Sequence, residues 1–116
     1  MSWSNLSLSS DWSVSTGYPA ARVRVLSGIS NAAQLEGYLT YSGTSLVDIP
    51  VTNEGALPAG SYDTSNYHTI SGRCYDSVGN PLGTCEILIT KDGTLAVPVV
   101  PKETVLLFFG DIYPTN

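Results

Sequence analysis

Apolar and polar residues alternate along much of this chain, which is the period-2 pattern of half-buried β-strands. The clearest case is residues 33–42, where Leu35 and Leu39 lie on one predicted face and Glu36 and Tyr38 on the other. Further strands are predicted over residues 5–9, 22–25, 46–52, 67–75, 85–90, 94–97 and 103–113. No 3.6-residue apolar period reaches helical length. The sequence therefore predicts an all-β fold, an antiparallel β-sandwich or barrel of about 8–10 short strands.

Glycine, proline and asparagine mark the predicted connections between these strands. Residues 27–32 are predicted to form a hairpin loop, and residues 76–84 a longer turn. Lys-Asp-Gly at residues 91–93 predicts a tight hairpin, because Asp-Gly supplies the positive φ of a two-residue loop.

Three positions within the predicted strands carry further expectations. Pro50 indicates an edge strand, where a missing N–H costs no ladder bond. Pro98 is expected to end the strand that begins at residue 94. Gly110 is expected to form a bulge or kink in the last strand.

Length and charge limit the number of domains and the kinds of partner that this chain is expected to have. The 116 residues suit one domain over residues 1–116. Charged residues are only 13% of the chain, the net charge is −5, and five Lys and Arg argue against binding a phosphate backbone. No apolar run approaches the roughly 20 residues that cross a bilayer. We therefore expect no nucleic-acid partner and no membrane insertion, and a hydroxyl-rich surface that suits sugars or packing against other chains.

The leading candidate site is the 62–68 loop, which holds Tyr62, Asp63, Asn66, Tyr67 and His68. A sugar is held by an aromatic ring against its C–H face and by planar donors and acceptors for its hydroxyls, and this loop offers both. The alternative is a surface loop in which the tyrosines cover the barrel end while Asp and Asn cap turns.

A second candidate cluster follows at the far end of the next strand. Arg73, Tyr75 and Asp76 could bind a ligand together, although we favour a surface ion pair of Arg73 with Glu86 across the hairpin.

The two tryptophans are expected to pack in the core or at interfaces. Trp12, with Tyr18, is a candidate stacking surface for a ligand, but aromatic residues that flank strands more often belong to a core or an interface. Trp3 is assigned to an interface with a neighbouring chain or a preceding stalk.

Catalysis and cofactor binding are not expected. His68 is the only histidine, no G-x-S-x-G setting surrounds a serine, and no pair of carboxylates stands out. Two Cys and one His lack the spacing of a zinc site, so we predict no metal. Cys74 and Cys85 are equidistant from the predicted turn centre, which would place them opposite each other and would permit a disulfide.

A series of short motifs, each occurring once, extends in order along nearly the whole chain. The motifs are W-x-x-L-x-L from Trp3, Trp12, A-R-V-R from Ala21, a strand carrying Gly37, L-P-A-G from Leu57, residues 87–93, and residues 105–113. Their order and spacing resemble the C-terminal head domains of receptor-binding and tail-fibre proteins of tailed bacteriophages.

That resemblance implies a homotrimer at the tail tip of a virion, the end domain of a longer protein joined to a stalk or baseplate. It also implies adsorption to a host cell-surface saccharide without cleavage. Assembly in a reducing cytoplasm would leave buried free thiols. One alternative is a structural trimerisation or capping module without a receptor site. Another is a monomeric carbohydrate-binding module, for which we expect a bond between Cys74 and Cys85.

Overall fold

The computed structural model describes residues 2–26, 28 and 31–116, and it confirms the all-β prediction with nine strands. The strands are β1 (Ser4–Asn5), β2 (Trp12–Val14), β3 (Arg22–Val25), β4 (Ala32–Tyr41), β5 (Val47–Pro50), β6 (His68–Tyr75), β7 (Pro81–Ile89), β8 (Leu95–Val99) and β9 (Leu106–Pro114). Within the described ranges no helix is long and apolar enough to cross a membrane. Three positions of the predicted 27–32 hairpin loop, residues 27, 29 and 30, lie outside the described residues.

The nine strands form one antiparallel sheet in the order β1-β3-β4-β9-β6-β7-β8-β5, and β2 pairs with β4. The ten-residue β4 pairs with β3 along its first half, with β2 along its second half, and with β9 on its other edge. The sheet curls into a half-barrel. The segments that follow β1 and β5 are joined by a bridge between Leu8 and Thr52 and by a hydrogen bond from the Ser9 amide to the Val51 carbonyl at 3.0 Å. The fold is therefore barrel-like rather than a two-sheet sandwich.

The core lies inside the curl and follows the predicted alternation of β4. Leu35 and Leu39 are fully buried, and Leu107 and Phe109 of β9 face them. Gly37 lies opposite Phe109, and a Cβ built there would be 2.9 Å from one ring carbon and 3.0 Å from another. The missing side chain of Gly37 thus makes room for the Phe109 ring.

The turn between β6 and β7 is shorter than predicted, because β7 already begins at Pro81. Asp76 closes it: its Oδ1 accepts hydrogen bonds from the amides of Val78 at 3.0 Å and Asn80 at 2.9 Å. These bonds also lower the pKa of Asp76. Asp76 is therefore a turn-capping residue, and its carboxylate is already occupied.

The same turn corrects the predicted cysteine pairing. A register shift falls between Cys74 and Tyr75, so that Cys74 lies opposite Gly83 and Cys85 lies opposite Gly72. The two cysteines are thus diagonal neighbours rather than a directly opposed pair. Both thiols are buried and free. The hydrogen bond with the Cys74 thiol and burial raise the pKa of the Cys85 thiol.

Two of the three expectations about prolines and glycine within strands need correction. Pro50 lies in the terminal strand β5, as predicted. Pro98 lies inside β8 rather than after it. It is compatible with the ladder because pairing with β7 ends at Ala96 and the register with β5 includes Val97 and Val99 but not Pro98. Gly110 pairs with Glu36 in an unbroken β4–β9 register, so the predicted bulge is absent from this strand.

The 91–93 hairpin has a three-residue loop rather than the predicted two-residue loop. Gly93 alone in it has a positive φ, +82°, and the Thr90 amide donates to the Thr94 carbonyl at 3.0 Å. The Tyr62 ring packs against Gly93, where a Cβ would lie 2.7 Å from the ring. Glycine is required here both for its φ and for this contact.

Candidate binding surface

The 62–68 loop is built around the Asp63 carboxylate, which is 2% exposed. Its Oδ1 accepts hydrogen bonds from the amides of Ser65 at 2.8 Å and Asn66 at 3.2 Å. Its Oδ2 accepts from Asn66 Nδ2 at 3.3 Å and meets His68 Nε2 at 2.9 Å. Four hydrogen-bond partners from the loop and the start of β6 therefore occupy both oxygens of the carboxylate. This arrangement agrees with the turn-capping interpretation of the loop rather than with a sugar site.

Acidification is expected to loosen this loop. The hydrogen bonds from His68 and from the Ser65 amide lower the pKa of Asp63 from 3.8 to about 2. A carboxylate whose pKa is lowered by folding stabilises the folded loop at pH values above its usual pKa of 3.8. This contribution is lost as the pH falls through about 2. We expect the NMR amide shifts of Ser65 and Asn66 to titrate with a midpoint near 2, and Asp63→Asn to remove the titration. A midpoint near 4 would contradict this role of Asp63.

The loop is anchored to the last strand by a buried hydrogen bond. The Tyr113 hydroxyl donates to the Ser61 carbonyl at 2.8 Å, and Tyr113 is 3% exposed. Burial raises the pKa of the Tyr113 phenol. This bond joins β9 to the segment that precedes Tyr62 and Asp63.

Removing the Tyr113 hydroxyl is expected to destabilise the fold. Tyr113→Phe leaves the Ser61 carbonyl without its partner, and an unsatisfied buried acceptor costs about 1–3 kcal/mol. Urea denaturation should show this loss, whereas Tyr67→Phe, at a tyrosine that is 60% exposed, should change stability by less than about 0.5 kcal/mol. Equal effects of the two substitutions would contradict the anchoring role of Tyr113.

The five predicted residues of the 62–68 loop therefore have different roles in the structure. Asp63 and the half-buried His68 hold the loop together, and Tyr62 packs against the hairpin. Asn66 and Tyr67 remain exposed, with Lys91 Nζ 5.1 Å from the centre of the Tyr67 ring. Of the five predicted loop residues, only Asn66 and Tyr67 are exposed to a ligand, and the Asn66 side-chain amide nitrogen already donates to Asp63.

Trp12 belongs to the core in this structure. It is 5% exposed, its ring centre is 4.6 Å from that of Tyr41, and its Nε1 donates to the Pro50 carbonyl at 3.0 Å. Its ring is therefore closed to a stacked ligand, and Tyr18 contacts other aromatic residues instead.

Four aromatic side chains meet on the outer face of β4, β9 and β6. We call Tyr18, Tyr38, Tyr75 and Phe108 the outer aromatic cluster. Tyr18 and Tyr38 stack at 4.7 Å between ring centres with 19° between their planes. Phe108 lies 5.1 Å from Tyr18 and 5.3 Å from each of Tyr38 and Tyr75. Tyr18 is 45% exposed and the other three are partly exposed. The cluster is an apolar surface carrying three phenol hydroxyls.

Arg73 borders this cluster. It lies on β6 opposite Phe108 of β9 and opposite Thr84 of β7, and it is exposed. The predicted ion pair with Glu86 does not form, because the register places Glu86 opposite Ser71. Among the described residues Arg73 makes no ion pair, so its guanidinium is available to a ligand.

Two other arginines are already engaged. Arg22 pairs with Glu36 at 2.5 Å, and Arg24 donates twice to the Gln34 side-chain oxygen at 2.9 and 2.7 Å. The Trp3 ring lies 4.5 and 4.4 Å from the two guanidinium carbons.

Within residues 2–26, 28 and 31–116, no three acidic, His or Cys side chains come together to hold a metal ion.

The fold is similar to a solved phage structure. The crystal structure of the head domain of phage bIL170, a study of the receptor-binding domains of lactococcal phages, matches with a TM-score of 0.69. The match covers 99% of this chain and 98% of that chain at 17% identity. No protein-family model matches the chain, and no curated protein sequence is significantly similar to it. The predicted resemblance to a phage head domain is therefore confirmed in its fold.

Proposed function

We propose that this chain is the receptor-binding head of a tailed bacteriophage and adsorbs to a host cell-surface saccharide without cleaving it. The observation that carries this proposal is the likeness to the bIL170 head domain over nearly the full length of both chains. A surface with few charges supports a sugar rather than a strongly charged partner, since only 13% of the residues are charged.

The receptor site in this proposal is the outer aromatic cluster together with Arg73. Aromatic rings offer an apolar surface to the C–H face of a sugar. Arg73 and the hydroxyls of Tyr38 and Tyr75 can donate hydrogen bonds to sugar oxygens. The 62–68 loop supports the proposal less well, because Asp63 and His68 are occupied by each other.

The head functions as a homotrimer attached to a stalk or baseplate at the virion tail tip. Ile112 and Val25 are 51% and 46% exposed, and Trp3 lies partly exposed on the outer face of β3. Burial of such apolar side chains between protomers would stabilise a trimer. Three sites on one tail would strengthen weak binding to each saccharide. Light scattering should give three times the monomer mass of 12.3 kDa, and a monomer at all concentrations would contradict the trimer.

The saccharide proposal predicts binding that depends on intact sugar rings. The purified chain should sediment with at least one member of a panel of bacterial cell walls, lactococcal walls included. Periodate oxidation, which cleaves vicinal diols, should abolish this binding, whereas protease treatment of the walls should leave it unchanged. Reducing sugar ends should not accumulate when the chain is incubated with the walls, because the proposed head does not cleave the saccharide. The reverse sensitivity, to protease and not to periodate, would contradict a saccharide receptor.

A further inference from the structure

A groove opens on the outer face where β8 separates from β7 after Ala96. Its volume is about 550 Å³. The polar wall is formed by the exposed Ser71, Thr84 and Glu86, and the apolar wall by Pro98, Val99 and Pro101. The buried Cys85 and Val100 also line the groove. We call this cavity the β7–β8 groove.

The groove is continuous with the surface beside Arg73. Thr84, which lines the groove, pairs directly with Arg73 across the β6–β7 ladder. Ser71, another lining residue, lies two positions from Arg73 on the same face of β6, about 7 Å along the strand. A saccharide chain with one sugar unit on the outer aromatic cluster and in contact with Arg73 would therefore place its next sugar unit in the groove.

The chemistry of the two walls suits a sugar ring. Glu86 is exposed and makes no ion pair among the described residues, so its carboxylate can accept hydrogen bonds from two neighbouring hydroxyls. The hydroxyls of Ser71 and Thr84 can donate or accept beside it. The apolar wall of prolines and valines faces them and can cover a C–H surface. The volume lies within the roughly 300–1,000 Å³ of small-molecule sites.

We propose that the β7–β8 groove is a second saccharide subsite that binds the unit adjoining the one held at Arg73. This inference rests on the proposed receptor function. The head then recognises a short stretch of a saccharide chain rather than a terminal sugar alone. The carboxylate of Glu86 in the groove favours a neutral or amino sugar at that position over an acidic sugar.

The test is calorimetric titration of the full chain with oligosaccharides. These are released from a cell wall that the wild-type chain binds and are separated by length. Affinity should rise with length until both subsites are filled and then level off. Glu86→Gln should lower affinity for the longer fragments about tenfold, because it removes the negative charge that strengthens the hydrogen bonds accepted by Glu86. It should leave the shortest binding fragment unchanged. Glu54→Gln, an exposed carboxylate near the other end of β8, is the matched control.

The outcomes separate the groove from the receptor function itself. If Arg73→Ala weakens every fragment while Glu86→Gln weakens none, the groove is not a subsite and the receptor function stands. If no cell-wall saccharide binds the wild-type chain, both proposals fail. If Glu86→Gln or Thr84→Val changes the mass in solution, the groove is a contact between copies of the chain, and the subsite is overturned.

Discussion

Phe109→Ala is expected to lower the free energy of unfolding by about 3–5 kcal/mol, the usual cost of removing a buried phenylalanine ring. Phe109 is 1% exposed and fills the space left by the missing side chain of Gly37. An alanine would leave a cavity that this glycine cannot fill. Urea denaturation of the purified chain should show a lower midpoint with an unchanged slope. A loss below about 1 kcal/mol would contradict this description of the core.

A second variant separates this contact from general loss of packing. Gly37→Ala alone should cost about 1–3 kcal/mol, because the new methyl group overlaps the Phe109 ring. Together with Phe109→Leu it should cost less than the sum of the two single changes, because both act on one contact. Additive costs would indicate that Gly37 and Phe109 are independent.

Arg73→Ala is expected to lower affinity for the cell-wall saccharide at least tenfold. An exposed guanidinium beside an aromatic surface can donate several hydrogen bonds to sugar oxygens, and Arg73 makes no ion pair among the described residues that would compete for them. The free energy of unfolding should change little, because Arg73 is exposed. Sedimentation of the chain with cell walls across a range of wall concentrations measures the effect.

Lys91→Ala is the matched control for Arg73→Ala. Lys91 is also exposed and also lies beside an aromatic ring, that of Tyr67, but on the 62–68 side of the molecule. We expect less than a twofold change in affinity. Loss of binding in Lys91→Ala with retention in Arg73→Ala would place the receptor site at Asn66 and Tyr67 and would contradict the outer aromatic cluster.

The sequence was sufficient to predict most strands that have one buried face and one exposed face, but it did not predict the short β2 (Trp12–Val14). In β4 the alternation from Leu35 to Tyr41 reports directly on burial, so its faces were predicted correctly. Cross-strand register was harder to predict, because it depends on turn length and bulges. The residue 76–80 turn and the shift after Cys74 moved Cys85 and Glu86 away from the partners that a symmetric hairpin predicts.

The candidate site shows the same division between local and long-range information. The capping role of Asp63 depends on neighbours within five residues, and the sequence offered it as an alternative. The outer aromatic cluster draws on Tyr18, Tyr38, Tyr75 and Phe108, which are far apart in the chain. The alternation within each strand indicates outward-facing positions for Tyr38, Tyr75 and Phe108, but Tyr18 lies in the loop before β3. The contact among the four rings depends on the strand order β4-β9-β6 and on the path of that loop. The sequence therefore suggested Arg73 with Tyr75, and Tyr18 separately, without placing them on one surface.

The most direct measurement is an NMR titration of the isotope-labelled chain with saccharide released from a cell wall that it binds. We expect saturable shifts in the amides of Arg73, Thr84 and Phe108, with little change at Ser65 and Asn66. Shifts confined to the 62–68 loop, or no saturable shifts with any wall saccharide, would contradict a receptor site on the outer face of β4, β9 and β6.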